Sequence, residues 1–334
     1  MILVTGGAGF IGSHFILDWL SAGGEGVVNL DKLTYAGRLG NLAALDGHPG
    51  HEFVHGDIAD AGLVRGLLER HQPRAIVHFA AHTHVDRSIA APDDFLQNNV
   101  VGTFWLLEAV RSWWSALDAG PRGAFRFLHV STDEVYGSLD EAQPPLTEDA
   151  PTRPNNPYAA SKAASDHFVR AAGKTWGLPV LTGHCTNNYG PHQHPEKLIP
   201  LAVSQAKRRL PIPLYGDGLQ VRDWLHVQDH CAALRLMLER GEPGRAWNIA
   251  AANPQRNVDV VQAVCDLVDE LCPEPGAPRC RTLISPVADR PGHDRRYALD
   301  PDRIGRELGW HAQRPFAQGL RDTVRWHLSR GGAA

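Results

Sequence analysis

The chain has 334 residues, with 33 Lys plus Arg against 37 Asp plus Glu and a formal charge of −4 at pH 7. That length supports one large or two modest domains with ample core, and no basic run lies along the chain to neutralise phosphates, so nucleic acid is not an expected partner. At 43% hydrophobic and 21% charged, the composition is that of an ordinary globule and lacks the apolar run of about 20 residues that a membrane span needs.

Residues 1–5 read as a strand, because Met1-Ile2-Leu3-Val4 is too short for a signal peptide and runs straight into glycines. The expected location is the cytoplasm. A helix over 10–21 and a strand over 27–31 follow. Further strands are expected at 52–55, 75–79, 125–131 and 180–184, alternating with helices at 61–71, 94–115 and 158–176. This alternation predicts an α/β fold, a Rossmann-type doubly wound parallel sheet over residues 1–184. Beyond it the pattern loosens into proline-rich loops between helices at 197–209 and 258–271, as in a smaller mixed α/β substrate-binding domain over 185–334. The runs 223–227 and 246–250 read as strands that could return to the first sheet, so segments near 221–250 are assigned to it. The five cysteines, Cys185, Cys231, Cys265, Cys272 and Cys280, form no C-x-x-C pair and are expected as free, mostly buried thiols. The pairs His82-x-His84 and His192-x-His194 lack further ligands at metal spacing, so no metal is expected.

Three motifs carry chemistry. Gly6-Gly7-Ala8-Gly9-Phe10-Ile11-Gly12 follows the first strand and opens the first helix, where bare amides and the helix end can cradle a pyrophosphate. Asp31 ends the second strand, placed to accept from an adenosine ribose and to repel a 2′-phosphate, which favours NAD over NADP. Gly56-Asp57-Ile58 follows the third strand and is placed to meet the adenine, although such a tripeptide is also a common turn. Tyr158 and Lys162 share one face of a helix. An ammonium near a phenol favours phenolate and lowers its pKa, so that Tyr158 can take a proton from a sugar hydroxyl. Thr132-Asp133-Glu134 stands at the carboxyl end of an apolar strand, the edge where open α/β sheets bind ligands. By spacing alone, two adjacent acids fit a solvated turn equally well. Their location argues for paired acid and base roles.

The chain resembles the dTDP-glucose 4,6-dehydratases, extended members of the short-chain dehydrogenase/reductase superfamily, nearly end to end. The resemblance rests on the glycine turn, residues 31–37, His84-Val85-Asp86-Arg87-Ser88, 131–137, 158–162, Asn187-Asn188-Tyr189-Gly190-Pro191, 195–200, Arg222-Asp223-Trp224 and 289–297. It implies an internal redox elimination: oxidation at C4 with Tyr158 taking the hydroxyl proton, loss of water across C5–C6, and hydride return to C6. Glu134 matches the family's base at C5, Asp133 the acid that protonates the departing hydroxyl, and Thr132 the hydrogen-bonding partner of the C4 oxygen. The resemblance places NAD against Gly6, Gly9, Phe10, Ile11, Gly12, Asp31, Lys32, Thr34, Asp57, Ile58, Ala80, Ala81, Asn98, Tyr158, Lys162 and Asn188. It places dTDP-glucose or a related nucleotide sugar against Ser88, Thr132, Asn187, Lys197, Leu198, Pro213, Tyr215, Arg222, Asn257, Arg290 and His293. Arg222 and Arg290 would fork onto phosphate, and Tyr215 would offer the base a stacking face.

The family usually has Glu where His82 stands, and His184 and His194 also depart from it, which suggests a modified outer pocket. UDP-sugar 4-epimerase or UDP-glucuronate decarboxylase chemistry would use the same NAD, Tyr158 and Lys162 without the acid pair, a UDP-glucose 4,6-dehydratase would use all of them, and a catalytically silent scaffold would bind NAD alone. A homodimer is expected through the helices near 98–115 and 158–176, whose Phe104, Trp105, Trp113, Trp114 and Phe168 equally suit a monomer core.

Overall fold

A computed structural model describes residues 1–330. In chain order the first half runs β1 (Ile2–Thr5), α1 (Phe10–Ser21), β2 (Val27–Asp31), β3 (His51–His55), α2 (Ala61–His71) and β4 (Ala75–His78). Two short helices, α3 (Val85–Ala90) and α4 (Pro92–Phe95), lead through a π-helical turn at Leu96–Val101 into α5 (Gly102–Ser115). Then come α6 (Ala119–Ala124), β5 (Arg126–Thr132), α7 (Pro157–Trp176) and β6 (Val180–Cys185). The second half holds β7 (Asn187–Tyr189), α8 (Leu198–Lys207), β8 (Ile212–Tyr215), β9 (Val221–His226), α9 (Val227–Arg240) and β10 (Ala246–Ile249). It closes with β11 (Pro254–Arg256), α10 (Asn257–Leu271), β12 (Ile284–Val287), α11 (Asp302–Leu308) and α12 (Phe316–Arg330).

Seven strands form one parallel sheet in the order β10-β6-β5-β4-β1-β2-β3. β1 and β4 are buried along their whole lengths, which is why Ile2-Leu3-Val4 and Ala75-Ile76-Val77 read as continuous apolar runs: helices cover both faces. Phe15, Ile16 and Trp19 of α1 pack on one face with Leu234 and Met237 of α9. Val64 and Leu68 of α2, Leu106 and Val110 of α5 and Val169 of α7 pack on the other. Strand order reverses between β1 and β4, so the loops after them part and leave a crevice at the carboxyl edge.

The expectation for the two late strands holds for one and fails for the other. β10 joins the large sheet beside β6, with Ala246 opposite Thr182. β9 instead lies at the centre of a three-stranded sheet, parallel to β7 and antiparallel to β11. Its Asp223 accounts for this: the buried carboxylate accepts from the backbone N–H groups of Ala251, Ala252 and Asn253 and fastens β9 to the chain that leaves β10. A separate core of α8, α10 and α12 residues, including Ile199, Val203, Val261, Val264 and Val324, covers this part. The expected helix over 94–115 is helical throughout but carries a π-helical turn at Leu96–Val101, whose Asn98 lines the crevice. The five cysteines are free, and only Cys272 is exposed.

Candidate active site

The glycine turn is held by close packing. Gly6 has φ +73°, and a Cβ there would lie 2.6 Å from Ala80 N; at Gly12 it would lie 2.4 Å from Gly6 O. The turn therefore presses against the chain leaving β4. Asp31 locks it from the side, its Oδ2 accepting from Ala8 N at 2.9 Å and its Oδ1 from Leu33 N at 2.8 Å. Lys32 pairs with Asp57 across the crevice at 2.5 Å.

These groups open into one cleft of about 910 Å³, the size of a site for a large ligand. All sixteen positions expected to hold NAD line it: Gly6, Gly9, Phe10, Ile11, Gly12, Asp31, Lys32, Thr34, Asp57, Ile58, Ala80, Ala81, Asn98, Tyr158, Lys162 and Asn188. A side-chain-free turn at a helix start, with a buried carboxylate at the next strand end, fits a dinucleotide.

The floor of the cleft is the end of β5. Thr132 Oγ1 accepts from Glu134 N at 3.3 Å and donates to Asp133 Oδ1 at 3.1 Å, which folds the acid pair into a tight turn. Asp133 is 3% exposed, and its Oδ2 has no partner within the protein. Burial, reinforced by the charge of Glu134, pushes its carboxyl well above the ordinary range. Glu134 Oε2 accepts from Asn156 Nδ2 at 3.2 Å and lies 3.4 Å from the Tyr297 oxygen, whose proton goes to Asp294 Oδ2 at 2.5 Å.

Tyr158 and Lys162 enter from α7. That helix starts where Asn156 accepts from Ala159 N at 2.8 Å beside Pro157, and it stops at Gly177 in the left-handed conformation. The expected lowering of the Tyr158 pKa is overturned. Burial, then the charge of Glu134, pushes the phenol well above its usual value, against a hydrogen bond with Thr132. Lys162 is itself buried, and its Nζ donates to Val130 O at 2.9 Å; burial lowers its pKa. Desolvation of the phenolate outweighs the help of the neighbouring cation.

Of the expected substrate residues, Thr132, Asn187 and Lys197 line the cleft, and Asn187 Oδ1 is buried without a partner. The others lie outside its wall. Arg290 Nε is 2.9 Å from Asp86 Oδ1, and its guanidinium covers the Tyr215 ring at 4.7 Å. The face expected to stack a base is thus taken by an arginine. His293 bonds Asp289 at 2.6 Å. Arg222 is buried over Tyr297 at 4.2 Å and donates to Asp294 O at 2.8 Å. Leu198 and Asn257 open α8 and α10, and Pro213 lies in β8. Ser88 is fully buried and donates to Val85 O; Thr83, not singled out from sequence, lines the cleft instead.

The three histidines that depart from the family pattern separate. His82 and His194 line the cleft, both edge-on to Tyr35, with ring centroids 5.6 and 5.7 Å away. Burial pulls the pKa of each below the usual value. His184 is not in the outer pocket. It sits on β6 beneath the floor, between the Tyr136 hydroxyl at 3.2 Å and Asp166 at 3.1 Å, because the inward register of β6 points it at α7. Asp166 and Tyr297 also escaped the sequence reading. A carboxylate one turn after Lys162 on the same face was the available signal for Asp166.

A Rossmann-type sheet with a dinucleotide cradle, a Tyr/Lys helix and an acid pair at one strand end defines an extended short-chain dehydrogenase/reductase. The family model described as GDP-mannose 4,6 dehydratase matches residues 3–323. A dTDP-glucose 4,6-dehydratase of Xanthomonas campestris pv. campestris (strain B100) is 56% identical over 328 residues, covering 98% of this chain and 93% of that protein. The dTDP-glucose 4,6-dehydratase 1 of Escherichia coli (strain K12) is 49% identical over 336 residues, covering 98% and 92%. The crystal structure of DesIV, a dTDP-glucose 4,6-dehydratase from Streptomyces venezuelae with NAD bound, superposes with a TM-score of 0.89 at 47% identity, covering 99% of this chain and 98% of that one. The chain belongs to this dehydratase family, on the branch of the dTDP-glucose 4,6-dehydratases.

Proposed function

We infer that the protein is an NAD-dependent lyase that converts dTDP-D-glucose to dTDP-4-keto-6-deoxy-D-glucose and water. The observation that carries this reading is that Asp133, Glu134 and Tyr158 line a single cleft. Oxidation and re-reduction at C4, as in a 4-epimerase, has no use for two carboxyls of opposite proton state.

Tyr158 takes the C4 hydroxyl proton, and Thr132 donates a hydrogen bond to the oxygen as charge forms on it. Lys162 holds a positive charge on the same helix. Glu134, steadied by Asn156, removes the C5 proton that the new ketone has acidified. Asp133, kept protonated by burial, gives its proton to the departing C6 hydroxyl. NAD, when bound, supplies the acceptor and donor of hydride and, in its oxidised form, a positive charge that favours phenolate. Its holders are the sixteen cleft residues named above.

We assign residues 1–184, with β10, to the cofactor and the rest to the nucleotide sugar. Arg222, Tyr215, Asn257, Arg290 and His293 serve the diphosphate and base, with Arg290 exchanging Asp86 for phosphate. Among the described residues no helix is long and apolar enough to cross a membrane, and free thiols suit the cytoplasm. A homodimer is supported by an exposed aromatic patch on α5 and α7: Trp105 and Phe168 are 45% and 43% exposed, and Phe104 packs edge-on to both.

The test is turnover of dTDP-glucose deuterated at C4. Label on the C6 methyl group of a 4-keto product is expected. A dTDP-galactose product, or a methyl group without label, would overturn the reading. UDP-glucose run in parallel measures nucleotide preference.

A further inference from the structure

Beneath the cleft floor lies a buried polar cluster that the chemistry above does not use. Asp166 sits on α7 one turn after Lys162 and is 8% exposed. Ser131 Oγ donates to its Oδ2 at 2.8 Å, and His129 Nε2 and His184 Nε2 each lie 3.1 Å from a carboxylate oxygen. His129 Nε2 is also 3.4 Å from Lys162 Nζ. One imidazole edge therefore stands between the carboxylate and the catalytic ammonium.

The charges in this cluster are well separated. Burial works against an ionised Asp166, but hydrogen bonds from His129 and His184 hold its carboxyl well below the ordinary range. Burial and the Lys162 charge pull His129 down to about 4, so its ring is neutral at pH 7. A neutral ring that donates Nε2–H satisfies the carboxylate without cancelling its charge. Among the described residues no Lys or Arg pairs directly with Asp166.

A buried ion kept only to fill space is a costly device, since a neutral or apolar group does so without the desolvation penalty. What the ion adds is a field. Burial lowers the Lys162 pKa, and the Asp166 charge is the first influence that raises it. The other titratable groups around Lys162 come from every packed element: Tyr158 on α7, His129 on β5, Cys185 and His184 on β6, and His78 on β4, whose ring lies 5.3 Å from that of His129. Asp133 and Glu134 lie beyond Tyr158. The Cys185 thiol is pushed up to about 12, so it supplies no anion at neutral pH.

We propose that Asp166 is a positioning residue for the oxidation step, its carboxylate acting across the His129 ring to keep Lys162 charged beside Tyr158. The role rests on the reading of Tyr158 and Lys162 as the acid–base couple. His129 fixes the distance between the two charges, and Ser131 and His184 hold the carboxylate in place.

The test is kcat/KM for dTDP-glucose over about pH 6 to 10 with NAD-loaded wild type, Asp166→Asn and Asp166→Glu. The Asn variant is expected to move the alkaline limb down by about one pH unit or more. The Glu variant, which keeps the charge, should leave the limb in place even if turnover falls. A uniform loss in the Asn variant with an unmoved limb would mark a structural role and overturn the proposal. Carbon-13 NMR of the Lys162 Cε, assigned with Lys162→Arg, needs neither turnover nor a folded Asn variant. In the wild-type holoenzyme it should titrate above about pH 9, and titration below about pH 8 overturns the proposal. A wild type that turns over no dTDP-glucose would sink the proposed reaction alone, and the NMR titration would still decide the role of Asp166.

Discussion

Arg290 pairs with Asp86 through one hydrogen bond, from Nη2 to Oδ2 at 3.1 Å, while its Nε lies 2.9 Å from Oδ1 without forming a second. The Tyr215 hydroxyl donates to the same Oδ2 at 3.2 Å. The Arg290–Asp86 pair joins α3 to the segment after β12, and the same guanidinium can fork onto a phosphate. Arg290→Lys keeps the charge and loses the fork, so the KM for dTDP-glucose should rise about tenfold with kcat changed less. Steady-state kinetics decides it; an unchanged KM would remove Arg290 from the diphosphate site.

Glu134→Gln replaces the base with an amide that cannot take a proton. Turnover should fall by about 10² to 10⁴, and solvent deuterium should cease to enter C5. Full exchange at C5 in the variant would assign the base elsewhere.

The glycine turn leaves no room for a methyl group at Gly12, where it would lie 2.4 Å from a backbone oxygen. Gly12→Ala is therefore expected to weaken NAD binding about tenfold or more, while the rest of the sheet stays folded. Isothermal titration of the stripped protein with NAD, alongside circular dichroism, checks both parts.

Trp105 and Phe168 are exposed aromatics of α5 and α7, as is Trp176 at the end of α7. Trp105→Asp with Phe168→Asp should convert a dimer to monomer by weakening association about 100-fold or more. Sedimentation velocity reads the outcome directly, and a wild type that sediments as a monomer would refute the dimer.

Several histidines are buried as neutral rings: burial holds His230 at about 3, and His129 and His226 at about 4. In the unfolded chain each binds a proton below about pH 6.5, whereas the folded chain refuses it until the lower value. Stability from these groups is thus present above about pH 6.5 and is lost as pH falls toward 4, at up to about 1.4 kcal/mol per pH unit for each. Thermal unfolding followed over that window should give a falling midpoint. A flat profile between pH 6.5 and 4 would contradict the burial of these rings.

Much of the cofactor half was legible because its signals are local. Continuous apolar runs, a glycine turn and capping residues act through neighbours in the chain, so β1, α1, β2 and α2 fall where periodicity places them. The late strands were harder. The sequences of β9 and β10 look alike in strand propensity, and it is long-range pairing with β7 and β11, with the grip of Asp223 on amides 251–253, that holds β9 in a different sheet.

The site divides in the same way. By itself the sequence determined the identity and order of the reactive groups: the bare turn, Asp31, the Thr132-Asp133-Glu134 run and the Tyr158/Lys162 pair, each readable within a few residues. Tertiary structure alone decided their proton states and company. The depth of Asp133, the upward push on Tyr158, the removal of His184 to a place beneath the floor and the seating of Asp166 one ring from Lys162 all depend on which atoms displace water around a group. Desolvation is set by the sum of packing from elements far apart in the chain, and no local pattern encodes that sum.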